Sequence, residues 1–411
     1  MQQSYTPSDK ILEKYADLIV RFGMRTKDGG KLKKGSVIQY SIPEAAKPLA
    51  WHLQSAILKQ GHNPIINYIP SNEGKYQFNR GYFTEAKKAQ LEHANDLQVK
   101  GLIEQIDGSI HILAETDPHA LHDIDPKKVL AKSQAAKKGV NFRRRKIDEG
   151  KLMWTIALYG TDAMAKEAGL TTKQYWDQII KACYLNEADP VKKWEEINRT
   201  VQKTAKKLTD MKIQKVHMVG EDADITLGIG SDRKWLAGGG NNIPSFEVFT
   251  SPKWQEVNGW IKLNQPHYRY GKKIEGIELW FKDGVVVKSK ASKNHDLLKA
   301  MLKTPGGNRL GEFSLTDARL SKITKFMAEI LYDENTGGKY GNTHVALGSA
   351  FRECYTGKAN PKWKKSHWVD TLGFNNSVVH SDVISTTDRT VTATLEDGSE
   401  KVIYEKGKYT V

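Results

Sequence analysis

The stretch from Gly35 to Ile69 limits the fold more than any other part of the chain. Gly35-Ser-Val-Ile-Gln-Tyr-Ser-Ile has the β-branched and aromatic content of a strand. Glu44 to Lys59 carries Leu49, Leu53, Ile57 and Leu58 at helical spacing. Gly61-His62-Asn63-Pro64 then breaks the helix, and Ile65 to Ile69 reads as a second strand. Two strands joined by a helical crossover must lie parallel, so the first half is expected to be an α/β domain built on βαβ units. Its first turn has no G-x-G-x-x-G, which argues against a dinucleotide site.

More elements of the same kind surround this unit. Helices are expected from Asp9, behind Ser8 as cap, and over Asp162–Ala168, Thr172–Tyr184 and Pro190 to about Met211. Strands are expected at Gly101–Glu104, Ser109–Ala114 and Met153–Tyr159. From about Lys212 the pattern changes to strands. Lys215–Gly220 and Ala223–Gly230 are candidates, and hairpins are expected to turn at Asp283-Gly284 and Asp397-Gly398. One helix is expected in this half, from Asp317 to about Tyr332. The reading is an N-terminal α/β domain over residues 1–220 and a C-terminal mixed α+β domain over residues 221–411.

Composition excludes some functions. No apolar run nears the ~18–20 residues of a membrane span, and the N-terminus lacks a signal-peptide layout. Only Cys183 and Cys354 occur, which suits a reducing, cytoplasmic setting and disfavours a thiolate metal site. The net charge of +15 is densest from Lys127 to Lys146. Apolar residues interleaved there at helical spacing make that segment an amphipathic helix, and no nucleic-acid-binding signature accompanies it. Nucleic acid is therefore not the expected partner.

Candidate chemistry is concentrated in the second half. In Asn376-Ser-Val-Val-His380-Ser-Asp382-Val-Ile, strand alternation puts an imidazole and a carboxylate on one face. Glu247 follows a Gly-rich, Pro-containing loop, and Glu312 sits in an apolar strand where an unpaired carboxylate is costly. Glu334 lies at the end of the expected helix, where the dipole disfavours acids. His344 begins a short apolar strand. Glu247, Glu312, His344, His380 and Asp382 are three carboxylates and two imidazoles, a donor set suited to a pair of divalent ions.

At these residues the chain resembles the thermophilic-type metallo-aminopeptidases, the family of aminopeptidases T and S. The matching stretches are Asn242-Ile-Pro-Ser-Phe-Glu247-Val, Gly311-Glu312, Leu331-Tyr-Asp-Glu334-Asn335, His344-Val-Ala-Leu-Gly and Ser377-Val-Val-His380-Ser-Asp382. The resemblance implies two divalent metal ions (Zn, Co, Mn or Mg) on Glu247, Glu312, His344, His380 and Asp382. It also implies a homodimer with an internal cavity that releases N-terminal residues from peptides. Metal-bound hydroxide would be the nucleophile and Glu312 the bridging ligand. Glu334 would carry the proton to the leaving amine or hold the peptide's α-ammonium.

In one place the chain departs from the pattern. Phe351 stands where the family has a tyrosine near the metals, so a hydroxyl there would have to come from Tyr340 or Tyr355. Two alternatives remain at this stage. One is a mononuclear non-heme iron ring-cleaving dioxygenase using His344, His380 and Asp382. The other is a non-catalytic basic binding protein on the same fold.

Overall fold

The computed structural model describes residues 3–25, 29–360 and 362–411. By its internal contacts the chain forms two compact units. The first runs to Glu195 and includes Gly239–Ser245 and Tyr270–Lys272. The second contains Glu196–Gly238, Phe246–Arg269 and Lys273–Val411.

The first unit is built on a five-stranded sheet in which each neighbouring pair is parallel. Its strand order is Asn63–Ile69, Val37–Pro43, Gly108–Leu113, Met153–Leu158 and Asn242–Ile243. The βαβ unit expected from the sequence is present, with a crossover helix at Lys47–Lys59. Ile38, Tyr40 and Ile42 on Val37–Pro43 are buried. Asn63–Ile69 is an edge strand, the position that tolerates Pro64 because proline has no N–H for the ladder. The first helix, Asp9–Leu18, begins after Ser8. Ser8 caps it through its carbonyl, which accepts from the Ile11 and Leu12 amides, and its hydroxyl makes no cap bond.

Two expectations for this unit change. Gly101–Glu104 is not a strand but part of the helix Asp96–Gln105. Ile103 faces a small core with Ile106 and Leu152, and that one-sided burial favours helical spacing over a strand's two faces. The basic segment forms two helices, Pro126–Ala135 and Lys137–Asp148. Lys146 of the second donates to the carbonyls of Ile103, Glu104 and Ile106 at the end of Asp96–Gln105. Part of the positive charge thus caps a helix.

The second unit is mostly antiparallel. An eight-stranded sheet contains both expected hairpins, Ile277–Lys282 with Val285–Lys290 and Arg389–Thr394 with Glu400–Glu405. Asp283 and Gly284 both have positive φ, as a two-residue hairpin turn requires. A five-stranded sheet has the order His380–Ser385, Asn342–Gly348, Leu310–Thr316, Glu247–Thr250 and Leu236–Ala237. Leu310–Thr316 and Asn342–Gly348 are buried along their whole length. Phe313, Leu315, Val345, Leu347 and Val383 fill one face of this sheet. Side chains of the larger sheet tie the two together: Arg389 donates to Thr343, and Tyr404 donates to the Thr316 carbonyl.

The helix expected from Asp317 to Tyr332 does not form. Only Ile330–Asp333 is helical, and the residues before it form turns. Local side chains take up the loop's backbone groups there. Asp333 accepts from the Met327 and Glu329 amides, Ser321 donates to the Asn335 carbonyl, and Asp317 is held by Arg319. The i, i+3 spacing of Leu320, Ile323 and Phe326 resembles a helix, but these bonds compete successfully with it.

Among the described residues no helix is long and apolar enough to cross a membrane.

Candidate metal centre

The register of the five-stranded sheet explains how residues from 247 to 382 meet. Glu247 pairs with Thr316, Phe249 with Ser314, and Ser314 with His344. Glu312 pairs with Ala346, which pairs with Asp382, and Gly348 pairs with His380. Because side chains alternate across a strand, Glu247, Glu312, His344, His380 and Asp382 all project from one face. The opposite face carries the apolar core. Ala346, between Glu312 and Asp382, has only a methyl group and leaves room between the carboxylates.

Two glycines allow the chain to make this arrangement. A Cβ on Gly311 would lie 2.3 Å from the Ser349 carbonyl oxygen, at the irregularity that sets the register of Glu312. Gly348 has φ +112°, and a Cβ there would meet the Val379 oxygen at 2.1 Å.

Glu334 comes from outside the sheet, at the end of Ile330–Asp333. Buried Asn335 holds this turn. Its Oδ1 accepts from the Phe246 amide at 2.6 Å, and its amide donates to the Leu331 carbonyl and to Glu334 Oε1 at 3.4 Å. The same residue thus anchors both the Glu334 turn and the approach to Glu247.

Donor atoms converge in three groups, each within 4.8 Å: Glu247, Glu312 and His344; Glu312, His380 and Asp382; and Glu334, His344 and Asp382. Glu312 lies between the histidines. Its Oε1 is 3.9 Å from His344 Nε2 and its Oε2 is 3.1 Å from His380 Nε2. His344 Nε2 also faces Glu247 Oε2 at 3.4 Å, and His380 Nε2 faces Asp382 Oδ1 at 3.3 Å.

Hydrogen bonding fixes which ring nitrogens face the carboxylates. His380 Nδ1 is 2.8 Å from the Ser349 carbonyl, which can only accept, so Nδ1 carries the proton. His344 Nδ1 meets Asn342 Oδ1 at 3.3 Å, and Asn342's own amide donates to the Asp333 carbonyl. In both rings Nε2 therefore faces carboxylate oxygens. Nitrogen and carboxylate oxygen at such distances share a proton or a metal ion, and imidazole fixed through its other nitrogen is the usual form of a metal ligand. The residues fit a divalent-metal site.

Ionisation in the cluster reflects the same crowding. Burial, reinforced by the charge of Glu312, pushes Glu247 up to about 8. Burial and the charges of Glu247, Asp382 and Glu312 push Glu334 well above the usual carboxylate range. Burial lowers His344. For His380 burial works against the charged form, but Asp382 and Glu312 outweigh it and raise the imidazole. Asp382 is likewise opposed by burial and yet held low by His380. Buried like charges of this density require positive charge among them.

Supporting residues that the sequence reading missed follow the same period of two. Ser314, two residues after Glu312, donates to Glu247 Oε2 at 3.0 Å. Asn342 stands two residues before His344 and orients it. His267, on a separate short strand, holds the Asp382 carbonyl at 3.1 Å through Nδ1; nothing near it in sequence signals that role. The Phe351 ring lies edge-on to His380, with centroids 5.0 Å apart. Tyr355 packs among Trp363, Trp368 and Phe374, and the Tyr340 ring lies against Lys339.

A buried cluster of carboxylates and imidazoles on one sheet face is the donor chemistry of a metallohydrolase centre. The model of the thermophilic metalloprotease (M29) family matches residues 8–409, and the chain belongs to that family. It is therefore a peptide hydrolase of a metallopeptidase family. It is 26% identical to aminopeptidase T of Thermus aquaticus, over 97% of this chain and 98% of the relative. It is also 26% identical to aminopeptidase PepS of Streptococcus thermophilus and to aminopeptidase AmpS of Bacillus subtilis, each over 97% of this chain and 98% of the relative.

Among solved structures, wild-type AmpT from Thermus thermophilus shares the fold, with a TM-score of 0.81 at 24% identity, covering 98% of this chain and 99% of that one. The 2,5-dihydroxypyridine dioxygenase of Pseudomonas putida KT2440 also shares it more distantly, with a TM-score of 0.52 at 12% identity over 99% of both chains.

Proposed function

We propose that the protein is a metal-dependent aminopeptidase whose catalytic part is the C-terminal domain, residues 221–411, and whose site holds two divalent ions. The observation that carries this is the position of Glu312, with one oxygen toward each histidine. That placement suits a carboxylate bridging two ions ~3.5–4 Å apart. Glu247 and His344 would complete one side, and His380 and Asp382 the other.

Bound there, the ions would polarise the scissile carbonyl and acidify a water molecule. The protein supplies the remaining functions. Ser314 Oγ–H keeps Glu247 Oε2 in place, and the Ser349 carbonyl and Asn342 keep both Nε2 atoms turned inward. Glu334, raised by burial and its neighbours, is suited to take a proton and return it to the leaving amine. In its charged form it would instead hold the peptide's α-ammonium.

Glu247 and Glu312 are both buried within the cluster. That favours the five-donor reading over a mononuclear iron dioxygenase, for which His344, His380 and Asp382 would suffice, and over a non-catalytic basic binding protein. Among Zn, Co, Mn and Mg, the imidazole donors favour the first three. Cys183 and Cys354, both buried and not joined in a disulfide, support a cytoplasmic setting. A homodimer is proposed from family membership, and sedimentation equilibrium tests it.

Cleavage of leucine p-nitroanilide in the presence of Co, Zn or Mn tests the activity. The protein should cleave this amide, spare its N-acetylated form, and lose activity on Glu312→Gln substitution. Full turnover by Glu312→Gln would overturn the assignment.

A further inference from the structure

The centre is closed on one side and open on the other. The Glu247, Glu312 and His344 side chains are 8%, 5% and 1% exposed, whereas His380 is 30% and Asp382 13% exposed. A substrate must therefore approach past His380. The ring that flanks His380 is Phe351, and Phe249 packs against Phe351 with centroids 5.3 Å apart.

Phe249 stands on the donor face. It lies two residues after Glu247 on the same strand and pairs with Ser314, the residue that hydrogen-bonds Glu247. Both rings are only partly buried. Their backs rest on a packed core of Ala350, Cys354, Trp368 and Phe374. The Phe351 amide is also fixed, donating to Ser251 Oγ at 2.9 Å. The mouth of a highly polar centre thus has one stiff apolar wall.

We propose that Phe351, backed by Phe249, is a specificity-determining residue: its ring receives the side chain of the substrate's N-terminal residue. The enzyme then favours aromatic and branched aliphatic N-terminal residues over small polar ones. This rests on the aminopeptidase reading and adds the substrate class to it. The physical reason is transfer of an apolar side chain from water onto apolar surface, a gain that a seryl side chain cannot match. Discrimination of this kind is worth roughly 10- to 200-fold for changes of about a methylene or more.

The test is a series of Phe, Leu, Ala and Ser p-nitroanilides at saturating metal, comparing kcat/KM for wild type, Phe351→Ala and Phe351→Leu. The wild type should prefer Phe and Leu to Ser by about 10-fold or more. Phe351→Ala should reduce the Phe-to-Ser ratio by about 10-fold, and Phe351→Leu should keep most of it. If Phe351→Ala does not fold, Phe351→Val provides the same readout.

A ring that only packed against His380 would lower all substrates together and leave the ratio unmoved, and that result overturns the proposal while the peptidase reading stands. If the wild type cleaves none of the amides, the peptidase reading falls and this proposal falls with it.

Discussion

Removing the Ser314 hydroxyl should weaken metal binding without touching a ligand. Ser314 is fully buried, and its Oγ–H donates to Glu247 Oε2 at 3.0 Å. A hydrogen bond to a charged acceptor contributes roughly 1.5–3 kcal/mol. At about 1.4 kcal/mol per tenfold, Ser314→Ala should lower affinity for the ion on Glu247 by about 10- to 150-fold. Loss of a partner that orients a ligand typically costs a similar 10- to 100-fold, roughly, in metal affinity. The assay is titration of the apoprotein with Co or Zn against a chromophoric chelator.

Ser381→Ala is the control. It makes the same substitution in the same sheet, at a buried hydroxyl without a hydrogen-bond partner. Its affinity should match the wild type. If Ser314→Ala binds metal like the control, Glu247 is not held by Ser314, and the argument that a fixed carboxylate builds the site is refuted.

Other consequences are more local. Ala346 keeps the space between Glu312 and Asp382 open, so Ala346→Leu should abolish metal uptake in a protein that still folds by circular dichroism. Gly311→Ala would push a Cβ to 2.3 Å from the Ser349 oxygen, and the melting temperature should fall by several degrees along with activity. Arg389 is buried against Asp222 at 3.0 Å; breaking such a pair from one side costs about 3–5 kcal/mol, so urea unfolding of Arg389→Met should shift to markedly lower concentration.

Glu115, raised by burial, has a folded pKa above its unfolded value. The stability linked to its protonated form is complete below the unfolded pKa and is lost as pH rises through the folded one. Glu115→Gln should therefore raise the melting temperature more at pH 8 than at pH 4.

What could be read from the sequence followed from local regularity. The period of two in Val-His380-Ser-Asp382 and the apolar surroundings of Glu312 placed these residues on buried strands, and the sheet has them there. The βαβ unit was legible because its helix is long and its breaks are sharp. Convergence of the donors was implied by the family resemblance but not legible in local pattern, because it depends on strand register. No local pattern reveals that Glu312 lies opposite Ala346 and Ala346 opposite Asp382.

Two misreadings had different causes. In 317–332 a helical apolar spacing was outweighed by side chains that bind the loop backbone, above all Asp333. At Gly101–Glu104 a short apolar run read as strand belongs to a helix with one buried face. The Phe351 substitution was visible in the sequence, but its packing against His380 was not.

The central proposal is that the cluster around Glu312 would hold two divalent ions. Metal content per chain, measured by inductively coupled plasma mass spectrometry on protein loaded with Co, Zn or Mn and then desalted, tests it most directly. About two divalent ions per chain, falling in Glu312→Gln and accompanied by chelator-sensitive amide cleavage, is the predicted result. A single tightly held iron, or no metal under any loading, would contradict it.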